Sequence, residues 1–208
     1  MGKQYAELDE RLIEFIADQP VYFVATAPCP SPSGDGGHVS VSPKEYRGTF
    51  AVFGPNTVGY LDLTGSGAET IAQIRQNGRI TIMLCSFREK PKILRLYGTG
   101  RVVLPAEAEF GGLLGHFSWP ASENGDRGDR RAIIVVELDR ISDSCGYAVP
   151  VMDLREERDL LNRWSDKKTA DGLVRYRAER NALSIDGLPA ITPGGTADDA
   201  GDVIATPP

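Results

Sequence analysis

The chain has 208 residues, 41% hydrophobic and 25% charged, with 23 basic against 29 acidic side chains and a formal net charge of -6. These proportions fit a folded globular chain and exclude disorder throughout; the acidic balance argues against nucleic-acid binding through broad phosphate neutralisation. No window approaches the roughly 20 apolar residues of a membrane-spanning helix, and "MGKQYAELDERLIEF" is charged and amphipathic rather than signal-like, so a cytoplasmic, non-membrane protein is expected.

In chain order, Leu8, Leu12, Ile13, Phe15 and Ile16 recur at helical spacing ahead of Pro20, which predicts an N-terminal helix within residues 1–19. Residues 20–150 then read as one β domain. "VYFVATA", "HVSVSPK", "TFAVFG", "TVGYLDL", "RITIMLCSF", "KILRLYGTGRVVL" and "RAIIVVELDRISDSCGY" are all strand-like in their β-branched and aromatic content. "PCPSPSGDGG" and "GPNT" read as hairpin connections. Links this short favour an antiparallel sheet or barrel over a doubly wound parallel sheet. "AEAEFGGLLGHFS" can form one helix, weakened by its glycines. Residues 151–191 are expected to be a helical extension packing on the barrel or on a dimer partner, with Leu154, Leu160, Leu161 and Trp164 on one stripe and a break near Gly172. Residues 192–208, rich in Gly, Pro, Ala and Asp, predict a flexible tail.

Cys29, Cys85 and Cys145 are widely separated and accompanied by only two histidines, His38 and His116, so no metal site is expected. The segment that asks for chemistry is "YLDLTGSGAETIAQIRQN", a strand passing through a glycine turn into a short helix. Unpaired amide groups and the dipole at a helix start favour an anion. A P-loop requires a lysine after the last glycine, where Ala68, Glu69 and Thr70 stand, and Gly65 and Gly67 match only part of a dinucleotide fingerprint. Two readings remain from the residues: a mononucleotide phosphate held with help from Ser66 and Thr70, or a tight turn with no ligand.

Across residues 20–104 the order "HVSVSPKEY", "TFAVFGPNTVGYLDLTGSG", "ETIAQIRQNGRITIMLCSF", "PKILRLYGTGRVV" resembles the FMN-binding split barrels of the pyridoxamine 5'-phosphate oxidase family. The resemblance implies a mainly β fold: a six-stranded antiparallel split barrel with N-terminal and C-terminal helices over the flavin-binding span 20–150. It further implies a homodimer with FMN at the subunit interface. Carried over by position, Ser42 and Lys44 approach the flavin or its phosphate, Asp62 lies beside the ring system, and Ser66, Gly67 and Thr70 hold the phosphate. Lys92 and Arg95 match a strand that supplies polar contacts to the flavin. Many relatives carry Arg or Lys where this chain has Glu69, and the arginine motif by which true pyridoxamine phosphate oxidases bind substrate is not recognisable in "LVRYRAERNALSIDGLPA".

The activity implied is that of an FMN-dependent oxidoreductase acting on a small molecule by hydride transfer at flavin N5, with no catalytic acid or base named. Two alternatives accompany it: use of the deazaflavin F420, whose acidic tail needs a basic channel, and a flavin-binding sensor or interaction dimer without turnover.

Overall fold

The computed structural model describes residues 2–30, 36–44, 47–119 and 128–191, so the expected tail at 192–208 lies outside the described residues. One antiparallel sheet dominates. Its strands are β1 (Gln4–Tyr5), β2 (Tyr22–Thr26), β3 (Ser40–Lys44), β4 (Phe50–Gly54), β5 (Thr57–Leu63), β6 (Arg79–Cys85), β7 (Ile93–Val103) and β8 (Arg130–Ser144). The order is β3-β2-β6-β7-β8-β5-β4, and β1 joins β8. The resemblance implied six strands and the described residues hold eight: the seven runs read from composition all form strands, and two-residue β1 is too short to leave a periodic signal.

The sheet curls into a split barrel with a ring contact at the seam. Tyr22 on β2 packs edge-on against Phe50 on β4, with ring centroids 5.0 Å apart, and Tyr60 on β5 lies 5.8 Å from Tyr22. Strands β2 and β4 are far apart in the hydrogen-bonded order, so side chains rather than a backbone ladder join them.

β8 explains why a continuous apolar run is a strand here. Ala132, Ile134 and Val136 point into the main core with Val58, Tyr60, Ile82, Leu94 and Leu96, while Ile133 and Val135 join Leu61, Val103, Phe110 and Trp119 on the opposite face. Over residues 131–136 both faces of β8 are buried, which removes the usual polar alternation there. Gly98 permits a close approach: a Cβ there would stand 2.0 Å from the Glu137 carbonyl oxygen, beside the irregular register between Tyr97 and Gly98.

Among the described residues five helices flank the sheet: α1 (Glu10–Asp18), α2 (Glu69–Asn77), α3 (Phe110–Leu114), α4 (Leu160–Asp166) and α5 (Ala170–Arg180). α1 starts where the Asp9 carboxylate accepts the Leu12 amide at 2.9 Å, and it buries Leu12 and Ile16. Only Phe110–Leu114 of the glycine-weakened stretch after Pro105 is helical. In the C-terminal extension residues 151–159 have no regular structure, and the helical break falls at 167–169 rather than at Gly172. The reason is local: Thr169 caps α5 by accepting the Gly172 amide at 3.1 Å, so the glycine lies inside the first turn. Leu173 of α5 is fully buried and anchors the extension.

Candidate functional site

A cavity of about 380 Å³ opens between the end of β3, the end of β5 and the start of α2. β3 reaches it because its side chains alternate, with Ser40, Ser42 and Lys44 turned inward and Val41 and Pro43 outward. Pro43 is tolerated because, among the described residues, β3 is an edge strand with no partner on its far side. The cavity is lined by Ser42, Lys44, Leu61, Leu63, the turn Gly65–Gly67, Thr70, Arg131 and, from the C-terminal extension, Leu161.

Under this cavity lies a buried charge cluster. Asp62 on β5 is 2% exposed and accepts from Arg131 Nε at 2.6 Å and from Lys44 Nζ at 3.2 Å. Burial alone would raise its carboxyl, but the charges of Arg131 and Lys44 and their hydrogen bonds outweigh it and hold Asp62 below its ordinary value. Burial pulls Arg131 down, but the Asp62 carboxylate, with Tyr60 and Glu69 adding to it, leaves it above its ordinary value. Two cations share one buried carboxylate, and Lys44, the more exposed of them, presents its ammonium to a cavity that the Glu69 carboxylate also lines. Tyr60 stays a neutral phenol, since burial first and the Asp62 charge second push it well above its ordinary value.

The glycine turn is tied from behind by its carbonyls. Arg131 Nη1 donates to the Gly67 carbonyl at 2.6 Å and the Gly65 carbonyl at 3.4 Å. Asn181 Nδ2, at the end of α5, donates to the carbonyls of Gly65 at 3.0 Å and Ser66 at 3.3 Å. Arg177 Nη1 donates to Thr64 Oγ1 at 3.0 Å and to the Gly128 carbonyl at 2.8 Å. Among the described residues the amides of Gly65, Ser66 and Gly67 meet no protein acceptor, whereas the Ala68 amide donates to Glu69 Oε2 at 3.0 Å. The carboxylate of Glu69 therefore caps the start of its own helix, close enough that a Cβ on Gly67 would stand 2.9 Å from it.

The profile of the pyridoxamine 5'-phosphate oxidase family matches residues 8–145. The chain belongs to that family. Its relative ustO of Aspergillus flavus, described as a pyridoxamine 5'-phosphate oxidase family protein, is 33% identical over 201 residues, covering 90% of this chain and 77% of the relative. Solved structures with a similar arrangement include HupZ of Group A Streptococcus, at 20% identity and a TM-score of 0.45 over 64% of this chain and 91% of that one. Another is a FAD-binding protein of Mesorhizobium loti, at 13% identity and a TM-score of 0.44 over 66% of this chain and 94% of that one.

Of the family positions carried over from the sequence, Ser42, Lys44, Ser66, Gly67 and Thr70 line one cavity, and Asp62 lies directly beneath it. Lys92 and Arg95 lie elsewhere in the subunit. Lys92 Nζ is 4.0 Å from Asp143 and sits over the rings of Tyr5 and Phe15. Arg95 donates to Ser144 Oγ at 3.0 Å, on the face of β7 opposite buried Leu94 and Leu96. Trp164 packs edge-on against Tyr176 within the C-terminal helices.

Arg131 is the family-span residue that sequence reasoning missed. Asp62 pairs with Ala132 and Leu63 with Arg130, so Arg131 is the extra residue of a β-bulge and faces Asp62 out of the regular alternation. Asn181 was also missed, and Arg177 was seen only as an arginine of a stretch with no recognisable motif; both stand beyond the matched residues 8–145. A second cavity of about 400 Å³, lined by Ile13, Ile16, Phe50, Leu84, Arg47 and His116, shares Tyr22 as a wall with the first.

Proposed function

We propose that the protein binds FMN in the Lys44 cavity and works as an FMN-dependent oxidoreductase on a small molecule, as a homodimer with the cofactor at the subunit interface. The observation that carries this reading is the glycine turn, whose carbonyls are drawn back by Arg131 and Asn181 while the amides of Gly65, Ser66 and Gly67 keep no protein acceptor among the described residues. A row of amide donors beside a lysine suits a phosphate monoester. Family membership adds the flavin to the phosphate.

In this reading Ser66, Gly67 and Thr70 hold the phosphate, and Ser42 and Lys44 approach the phosphate or the adjoining ring. Asp62 fixes Lys44 in place through the 3.2 Å contact and lies beside the flavin. Lys92 and Arg95, remote from this cavity, have their contact with a flavin held by the partner subunit. Bound FMN would supply two-electron hydride exchange at N5, and the protein supplies binding, orientation and the local potential. No observation favours F420 over FMN, because Arg47 pairs with Glu157 at 3.4 Å and Lys92 lies beside Asp143.

The test is an absorbance spectrum of the purified protein before and after FMN is added, with the native mass recorded alongside. Flavin bands perturbed on a dimer support the reading. A colourless protein whose spectrum with FMN is the sum of its parts removes it. A nicotinamide-driven rate of flavin reduction no faster than that of free FMN would leave a binding protein without turnover.

A further inference from the structure

We propose that Asn181, in the C-terminal extension beyond the family-matched residues, is a positioning residue for the phosphate-binding turn. This rests on the reading of the cavity as a phosphate-monoester site. Asn181 is fully buried, and its Nδ2 reaches the carbonyls of Gly65 and Ser66 from 116 and 115 residues away in sequence. Its Oδ1 meets no partner among the described residues. Leaving a buried carbonyl oxygen unsatisfied has a cost that an aliphatic side chain would avoid, so the site keeps the amide for its donor.

The donor is itself held firmly. The Asn181 amide donates to the Arg177 carbonyl at 2.8 Å, and its carbonyl accepts from the Ile191 amide at 3.0 Å, closing a hook that carries the Leu183 to Pro189 bridge. The tip of that hook binds the first element of the cavity too: Asp186 accepts from the His38 amide at 2.8 Å and contacts His38 Nδ1 at 2.6 Å, just ahead of β3. The extension thus grips the glycine turn with Asn181 and the approach to Ser42 and Lys44 with Asp186. Drawing the carbonyls of Gly65 and Ser66 toward Asn181 turns the amides of Ser66 and Gly67 the other way, because within each trans peptide unit the C=O and the following N–H point to opposite sides.

The experiment compares the full-length protein with Asn181→Leu, which is of similar size and loses the donor, and with Asn181→Ala. Equilibrium binding of FMN and of riboflavin, which lacks the phosphate, is measured together with the 15N heteronuclear NOE of the Gly65, Ser66 and Gly67 amides without ligand. The expected result is FMN binding at least tenfold weaker, riboflavin binding unchanged, and a lower NOE confined to the turn. Equal losses for both ligands, unchanged FMN affinity, or an unchanged NOE in a folded variant each overturn the role. If the unaltered protein ignores FMN, the flavin reading fails and the role falls with it; a loss in the variants alone leaves that reading standing. Should Asn181→Ala not fold, Asn181→Leu carries the comparison.

Discussion

Arg131 Nε lies 2.6 Å from Asp62 Oδ2 with both side chains almost wholly buried, and the same guanidinium reaches the Gly67 carbonyl. One buried pair therefore joins the barrel wall to the glycine turn. Truncating one member of such a pair strands the other charge, which typically costs about 3–5 kcal/mol. Asp62→Asn is expected to lose stability of that order in urea unfolding. Asp62→Leu with Arg131→Met should recover most of it, since the pair's desolvation cost goes too, but should not restore the turn.

Acid sensitivity follows from the direction of the Asp62 shift. The folded carboxyl titrates below its ordinary 3.8, so its contribution is fully present above that value and is lost as the pH falls through the lower folded value. Stability measured from pH 6 downward should fall in that acid range by more in the unaltered protein than in Asp62→Asn. Parallel curves would show that Asp62 is not the linked group.

Lys44→Met separates binding from folding. Its side chain is a quarter exposed, and Arg131 still neutralises Asp62 when it is gone. FMN affinity should fall by about tenfold or more, from a charge-assisted contact of roughly 1.5–3 kcal/mol, while the unfolding midpoint moves little. Arg95→Ala, on the far face of β7, should leave FMN binding to an isolated subunit unchanged.

Glu69→Gln should act in the opposite sense. The carboxylate that caps the Ala68 amide occupies ground an incoming phosphate needs and repels it. Removing the charge is expected to tighten FMN severalfold with no effect on riboflavin, measured by fluorescence titration. Equal affinity for FMN before and after the change would show that Glu69 lies clear of the phosphate.

Gly98→Ala tests the β7 and β8 approach. A methyl placed 2.0 Å from the Glu137 carbonyl oxygen forces the strands apart, and overpacking of this kind costs about 3 kcal/mol. Thermal unfolding should show the loss. Gly54→Ala, where a Cβ meets nothing within 4 Å, is the matched control.

Much of this molecule was legible in the residues one by one. β-Branched runs between turn residues marked seven of the strands, because side-chain shape and turn chemistry act over a few residues at a time. Ser42 and Lys44 came from the resemblance rather than from alternation, and the glycine turn announced the end of β5. Motif order across the barrel marked the family, which the match over residues 8–145 shows. Arg131 escaped because alternation predicts facing only while the register is regular, and a bulge between Asp62 and Leu63 breaks it. The contacts of Asn181 and Arg177 escaped because a buried donor's partner depends on how a distant helix docks, and no local pattern encodes that contact. Local propensity and spacing determined the strands and the turn; only the packed tertiary structure decided which charges meet at Asp62 and what holds the turn from behind.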